Sequence, residues 1–153
     1  MDPRLKIVAK IAHALNEKEI RWAIGGSLLL FLKGITFNFN DLDLMVLEED
    51  AVIAREVLMA IGEYHPNSGG SSSKVFDDFT VDGLDVDLIS GFVITAYGNV
   101  NDCSFKNENV EHMEIEGEDI RLDSLETWYE IYSLQGRVEK ARYIKDYLLY
   151  HKK

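Results

Sequence analysis

Apolar residues recur at helical spacing near both ends of the chain. After Asp2-Pro3, the apolar positions between Leu5 and Leu15 form one stripe, which predicts an amphipathic first helix. Asp123-Ser124-Leu125-Glu126 resembles a capping box, so helices are predicted from there to Gly136 and over 137–150. The inner faces predicted for these two helices comprise Leu125, Trp128, Tyr129 and Tyr132 in the first, and Val138, Ala141, Ile144 and Leu148 in the second.

Short apolar runs between these helices predict strands that alternate with two further helices. Strands are predicted over 20–24 and 41–47, with a helix over 27–33 between them that ends at Gly34. Another helix is predicted from Ala51 to Ile61, with Gly62 after its end. This alternation of strands and helices favours an α/β (or α+β) class with a short mixed sheet flanked by helices.

A second group of strand signals follows. Strands over 74–81 and 84–90 are predicted to be joined by Asp82-Gly83, a dipeptide suited to a tight hairpin. Weaker strand signals lie at 91–96 and 110–115. Residues 65–73 have the composition of a loop and lack the Gly-Lys-Ser/Thr signature of a Walker-type phosphate loop. A solvated connection and a flap over a nucleotide are both open for this stretch.

The composition is that of one compact domain. With 153 residues, 46% of them hydrophobic, the chain is expected to form one unit, with an α/β core over 1–122 and a C-terminal helical section over 123–153. No apolar run approaches the ~20 residues of a membrane span, and the amphipathic start is not a signal-peptide pattern. Cys103 is the only cysteine, which excludes an intramolecular disulfide. A reducing cytoplasm is therefore the expected compartment.

The net charge bears on the partners. A formal charge of -11 argues against extended contact with a nucleic-acid backbone, because such contact requires clustered Lys and Arg. General solubility accounts for most of the surplus. A small or cationic acceptor therefore fits this chain better than long DNA or RNA.

Chemistry concentrates in two neighbouring segments. The apolar run Trp22-Ala23-Ile24 leads into Gly25-Gly26-Ser27, where the backbone can turn tightly into a helix. In the next predicted strand, Asp41 and Asp43 project from one face because side chains alternate along a strand. Two carboxylates on one face repel each other, and a divalent cation between them stabilises the pair. A phosphate site beside a metal site is the arrangement that phosphoryl or nucleotidyl transfer needs.

These segments resemble the nucleotidyltransferase superfamily that includes DNA polymerase beta. The context is most similar to the small antibiotic nucleotidyltransferases of the lincosamide type and to abortive-infection-type enzymes. Trp22 before the glycines, Gly34-Ile35-Thr36 after the helix, and Asn40-Asp41-Leu42-Asp43 all match. The resemblance covers about residues 20–90 well and the C-terminal helices more loosely. It implies the nucleotidyltransferase fold, with a C-terminal helical section after the sheet.

The resemblance also implies a third acid on a later strand. Its apolar-Asp-apolar position fits Asp87, within Val86-Asp87-Leu88, best. Asp85 lies two residues earlier on the same face and stays an alternative. The implied catalytic and metal-binding residues are Asp41, Asp43 and Asp87, with Mg2+ or Mn2+ as the cofactor.

A nucleotide-binding set is implied as well, and it comprises Gly25, Gly26, Ser27, Thr36, Asn40 and Lys140. Related enzymes carry a Lys, often as Lys-Asp, on a helix comparable to the last one. Lys145-Asp146 keeps that pair and Lys140-Ala141 does not, so the choice between the two lysines is open. A solvated basic face formed by Arg137 and Lys140 is a further alternative.

The implied function is that of an EC 2.7.7 type enzyme. A nucleoside monophosphate would pass from a nucleoside triphosphate, such as ATP, to the hydroxyl of a small-molecule acceptor, with release of pyrophosphate. Two alternatives stay open: a protein or tRNA acceptor, as in toxin-type relatives, and a noncatalytic nucleotide-binding or antitoxin-like module. Clustered carboxylates favour an enzyme, because a scaffold has no need of them.

Overall fold

The computed structural model describes residues 2–66 and 73–151. Its α-helices are α1 (Arg4–Glu17), α2 (Gly26–Leu32), α3 (Ala51–Ile61), α4 (Leu125–Leu134) and α5 (Val138–Tyr150). Its strands are β1 (Trp22–Gly25), β2 (Leu42–Val46), β3 (Glu63–His65), β4 (Val75–Val81), β5 (Leu84–Ser90), β6 (Val93–Ala96), β7 (Asn99–Asp102), β8 (Glu111–Ile115) and β9 (Glu118–Leu122). Short 3-10 turns lie at Glu48–Asp50 and Asn107–Asn109.

The main sheet has seven strands in the order β3-β4-β5-β2-β1-β9-β8. Strand β2 runs antiparallel to β1 and parallel to β5, and β9 runs parallel to β1. Strands β6 and β7 form a separate two-stranded ribbon. A mixed sheet flanked by helices confirms the predicted fold class.

Alternation along the central strands gives the sheet two chemically different faces. Leu42 and Leu44 of β2 are buried within the hydrophobic core. Helix α3 packs against β4 and β5, and α1 packs against β9. The neighbouring positions of β2 point to the opposite face, where Asp43 is only half-buried. Asp43 therefore lies on the face of the sheet opposite Leu42 and Leu44.

Several local predictions are confirmed. The apolar stripe of α1 is buried from Leu5 to Leu15. Gly34 follows α2 with a φ of +77°, the left-handed conformation expected after a helix end. Asp82 and Gly83 both have positive φ and join β4 to β5 in a two-residue hairpin. No helix in the described part of the chain has the length and apolar character needed to cross a membrane.

Other predictions need correction. Tyr129 and Val138 were predicted to face inward, but they are 38% and 75% exposed. They lie off the buried faces of their helices, which run through Trp128, Ile131 and Tyr132 in α4 and through Ala141 and Ile144 in α5. The N-cap of α4 is Ser124, whose Oγ accepts from the N–H of Thr127 at 3.2 Å. Asp123 was predicted to begin the capping box, but it bonds the indole of Trp128 instead.

Three strands lie outside the predicted set. They are β3, β7 and β9. His65, predicted to begin a loop, is the last residue of β3 and pairs with Asp78. Within that predicted loop, residues 67–72 lie outside the described residues.

Candidate active site

The turn between β1 and α2 brings backbone close to two side chains that are distant in sequence. Gly26 has a φ of +62°, and a Cβ at this position would overlap Oδ2 of Asp43. A Cβ on Gly25 would overlap the indole ring of Trp128 in α4. Each glycine is thus required by a different neighbour: Gly26 by the carboxylate and its own backbone conformation, Gly25 by the aromatic ring.

Three aspartates converge beside this turn. Asp43 of β2 lies between Gly25 on one neighbouring strand and Asp87 on the other, and Asp41 immediately precedes β2. Each of these aspartates offers a carboxylate oxygen, and the three oxygens lie within 4.8 Å of one another. Asp85 pairs with Thr80 instead and is exposed. The strand register therefore brings Asp87, and not Asp85, next to Asp43.

Burial and mutual repulsion make this cluster hard to ionise. Burial, followed by the charge of Asp41, raises the pKa of Asp43 to about 7. Burial also raises the pKa of Asp87, and a hydrogen bond with Asp78 on β4 raises it further. The pKa of Asp41 is raised by burial and then by the charge of Asp85. All three carboxyls are therefore harder to ionise than an ordinary aspartate, and a divalent cation would stabilise their charged forms.

Cations from the C-terminal helices complete the cleft that the aspartates open into. The cleft encloses about 270 Å³. Besides the three aspartates, its lining includes Ser27, Asn40, Phe76, Ile89, Phe92, Trp128, Tyr132, Gln135, Arg137 and Lys140. Acidic residues of the sheet and basic residues of α5 and the turn before it thus border one space.

Trp128 lines this cleft, and hydrogen bonds through Asp123 hold its indole in position. Its Nε1 donates to Oδ2 of Asp123 at 3.0 Å, while Oδ1 of Asp123 accepts from the N–H of Ser124 at 2.8 Å. The backbone N–H of Asp123 donates to the carbonyl of Ile24 at 3.0 Å. Since burial raises the pKa of Asp123, the two side-chain bonds are what stabilise its charged form. This arrangement joins the start of α4 to the end of β1.

The predicted nucleotide-binding residues divide into groups. Ser27 and Asn40 line the cleft, and the Asn40 N–H donates to Oγ of Ser27 at 3.2 Å. Lys140 also lines it, whereas Lys145 lies in grooves on the outer side of α5. Thr36 is not part of the lining, and its Oγ1 donates to the carbonyl of Asn38 at 3.1 Å.

Sequence reasoning missed several residues that line the cleft or contact its aspartates. Asp78 lies opposite Asp87, and the predicted turn at Asp82-Gly83 was a usable signal, because counting outward from it pairs these two positions. Tyr132 was assigned to the packing face of its helix, and Arg137 to a basic face shared with Lys140. Their approach to the cleft depends on how α4 and α5 cross, which no local pattern encodes.

Comparison with known proteins extends these observations. No protein-family model matches the sequence, and no curated protein is significantly similar to it. Among solved structures, a protein from Thermotoga maritima, named as a nucleotidyltransferase by inference, superposes with a TM-score of 0.75 at 24% identity. The alignment covers 99% of this chain and 96% of that one. The chain has the nucleotidyltransferase fold.

Two structures of the antibiotic-resistance factor ANT(2'')-Ia show the same fold. One, in complex with adenylyl-2''-tobramycin, has a TM-score of 0.65 at 15% identity and aligns with 95% of this chain and 89% of its own. The other, a solution structure, has a TM-score of 0.65 at 17% identity, over 97% and 86% of the two chains. The nucleotidyltransferase fold predicted from the glycine turn and the aspartates is thereby confirmed.

Proposed function

We propose that this chain is a metal-dependent nucleotidyltransferase of the EC 2.7.7 type. It transfers a nucleoside monophosphate from a nucleoside triphosphate to the hydroxyl of a small molecule and releases pyrophosphate. The observation that carries the proposal is the convergence of Asp41, Asp43 and Asp87 beside the Gly25-Gly26 turn, in a chain with the nucleotidyltransferase fold. A purely structural sheet face gains no stability from three close carboxylates.

The donor set fits Mg2+ or Mn2+. Asp41, Asp43 and Asp87 supply hard carboxylate oxygens, close enough together to share an ion and open to a cleft with room for phosphate oxygens. When bound, the ion supplies neutralisation of the charge on the transferring phosphoryl group and on the leaving pyrophosphate. Burial and neighbouring carboxylates raise the pKa of Asp41 and of Asp43. A bound cation would offset this unfavourable effect on their charged forms.

The chain's own residues bind and orient the reactants. Gly25 and Gly26 leave room for the Trp128 ring and the Asp43 carboxylate beside the turn, and Ser27 and Asn40, joined by a hydrogen bond, supply polar groups to the cleft next to them. Lys140 supplies a positive charge on the other side of the cleft. Asp87 takes the proton of the acceptor hydroxyl, whose oxygen bonds to the α-phosphorus while the bond to the β-phosphate oxygen breaks.

Two observations support a small acceptor. The charge of -11 disfavours a nucleic-acid backbone, and ANT(2'')-Ia, which shares the fold, has been solved with an adenylylated small molecule. A hydroxyl-bearing small molecule is therefore the proposed acceptor.

A pyrophosphate-release screen tests the function. Purified protein is mixed with each nucleoside triphosphate, Mg2+ or Mn2+, and panels of hydroxylated small molecules, tRNA and proteins. Release that needs metal and a small-molecule acceptor, and that is lost in Asp43→Asn, supports the proposal. If tRNA or protein is labelled instead, the proposed nucleotidyl transfer stands, but the acceptor is a macromolecule and not a small molecule. A protein that binds triphosphate but releases no pyrophosphate with any acceptor would instead favour the noncatalytic module.

A further inference from the structure

The turn between α4 and α5 has the hydrogen bonds of a Schellman motif. Gly136 has a φ of +76°, its N–H donates to the carbonyl of Ser133 at 3.1 Å, and the N–H of Arg137 donates to the carbonyl of Tyr132 at 2.8 Å. The motif ends α4 and returns the chain over its last turn. Arg137 is therefore placed beside Tyr132, and the first turn of α5 brings Lys140 to the same side chain.

Two cations lie over the ring of Tyr132. Cζ of Arg137 is 5.7 Å from the ring centroid, and Nζ of Lys140 is 5.4 Å from it. Both distances are within the ~6 Å at which an aromatic ring attracts a cation. The ring itself is fixed: Tyr132 is 1% exposed, and its ring packs 5.5 Å from that of Trp128. A rigid ring thus orders two side chains that are otherwise long and mobile.

Neither cation forms an ion pair with a carboxylate of the described residues. Within residues 2–66 and 73–151, Arg137 and Lys140 form no ion pair closer than 4.0 Å, although both line the cleft with Asp41 and Asp43. Burial, and then the nearby charge of Arg137, lowers the pKa of Lys140. Two repelling cations held together in a cleft are stabilised by an anion that fits between them.

We propose that Tyr132 is a positioning residue for the phosphates of the nucleotide: its ring holds Arg137 and Lys140 in the cleft, and these cations contact the phosphates that leave as pyrophosphate. The inference rests on the proposed function and adds Arg137 and Tyr132 to it. Tyr132 acts through the two cations and touches no phosphate itself. Its removal should therefore weaken binding of a triphosphate much more than binding of the corresponding monophosphate.

The test is a double-mutant cycle read by calorimetry. With Mg2+ present, the dissociation constants of a nucleoside triphosphate and of its monophosphate are measured for the wild type, Tyr132→Met, Arg137→Gln and the double variant. Methionine fills the buried site without a ring. Each single change is expected to weaken triphosphate binding about tenfold, as expected for loss of a partly desolvated cation contact, and to leave monophosphate binding nearly unchanged. In the double variant, the loss added by Tyr132→Met should be smaller than the loss it causes alone, because part of the effect of Tyr132 passes through Arg137 and only the part through Lys140 remains.

Matched variants separate positioning from folding. Tyr132→Phe restores the ring and is expected to recover the affinity that Tyr132→Met loses. Arg142→Gln and Lys145→Gln remove the same charges from the outer side of α5 and should leave triphosphate affinity unchanged. Lys140→Gln should lose triphosphate selectivity as Arg137→Gln does. Melting temperatures are recorded for every variant, so that a change of affinity is read only from folded protein.

The outcomes are distinct. Equal losses for monophosphate and triphosphate in Tyr132→Met, or losses that multiply independently in the double variant, would overturn the positioning role. If Tyr132→Met does not fold, the test rests on Arg137→Gln, because Arg137 is exposed and its substitution should not disturb folding. An Arg137→Gln variant that binds triphosphate as tightly as the wild type would overturn the inference. A wild-type protein that binds no triphosphate with metal present refutes the proposed function and this inference together. Normal wild-type binding with unaffected variants refutes the inference alone.

Discussion

Asp85 and Asp87 show how strand register separates two identical side chains. They lie two residues apart on β5 and face the same side of the sheet. Asp87 lies between Asp43 on β2 and Asp78 on β4, whereas Asp85 pairs with Thr80 and is exposed. The difference in surroundings predicts a difference in function.

Substituting each of these two residues tests that difference. Asp87→Asn should lower pyrophosphate release by about 10²–10³-fold, since it removes a metal-binding charge and the proposed base. Asp85→Asn, the matched control on the same strand and face, should stay within a few-fold of the wild type. Both are measured on protein of known melting temperature. A larger loss in Asp85→Asn than in Asp87→Asn would reverse the assignment of the third acid.

The stability of the metal-free protein should depend on pH through Asp43. Its pKa in the folded protein, about 7, is above its ordinary value of 3.8. A raised pKa favours folding of the protonated form, so the contribution is complete below the ordinary value and is lost as pH rises through about 7. With a chelator present, the melting temperature of the wild type should fall between about pH 5 and pH 8.5 more than that of Asp43→Asn, which lacks this titration. Parallel curves for the two proteins would contradict the shift.

The aspartate cluster was largely predictable and the cation cluster was not. Alternation along a strand is a local rule, and it places Asp41 and Asp43 on one face from sequence alone. The same rule leaves Asp85 and Asp87 equivalent, and only the pairing of β5 with β2 distinguishes them. Gly136 marks the turn before α5 in the sequence, but the contact of Arg137 with the Tyr132 ring depends on how α4 and α5 pack, and no residue pattern encodes it.

At the scale of elements, the short helix α2 is bounded by two glycines with similar backbone and different surroundings. Gly26 begins it with a φ of +62°, and Gly34 follows it with a φ of +77°. A Cβ on Gly34 would meet nothing within 4 Å, while a Cβ on Gly26 would overlap the Asp43 carboxylate. Gly26 is therefore required by the Asp43 carboxylate as well as by the turn, whereas Gly34 is required only by the turn.

Alanine substitutions separate these two requirements. Gly26→Ala and Gly34→Ala should each lower the free energy of unfolding by about 1 kcal/mol, the cost of a left-handed non-glycine residue. Only Gly26→Ala should also displace Asp43 and reduce metal-dependent pyrophosphate release. Denaturant unfolding and release assays on the same preparations give both quantities. Full activity in Gly26→Ala would show that the carboxylate has more freedom than the close approach implies.

The helices were easier to predict than the edges of the sheets. The stripe of α1 gives both its length and its buried face, because an amphipathic helix carries its own signal. Strand β9, with the sequence Glu-Asp-Ile-Arg-Leu, has a weak local signal and is defined by its pairing with β8 and β1. Strand β7 forms a ribbon with β6 outside the main sheet, where alternation has no core to match.

At the scale of the whole molecule, the protein has a net charge of -11, and yet its cleft is proposed to bind a polyanion. Long-range repulsion therefore opposes the approach of free triphosphate, and the metal is needed to offset it as well as to assist the chemistry. Arg137 and Lys140 supply only local attraction within the cleft.

Triphosphate binding should accordingly depend on metal. Calorimetry with Mg2+ or Mn2+ is expected to give an affinity at least about tenfold higher than with a chelator, because the three carboxylates repel the phosphates when no cation lies between them. The matching nucleoside, which has no phosphates, serves as the control and should not respond to the chelator. Equal triphosphate affinity in both conditions would exclude the metal-bridged mode.

The fixed position of Trp128 beside the cleft makes its fluorescence a probe of ligand binding. The chain has two tryptophans, and Trp22 is 1% exposed, with its indole bound to Asn16 at 2.9 Å outside the cleft. Trp128 borders the space in which the nucleotide is proposed to bind. Its emission therefore responds to the polarity and occupancy of that space, while Trp22 gives a constant background. Intrinsic fluorescence, with Trp128→Phe as the silent reference, offers a label-free optical titration of the site.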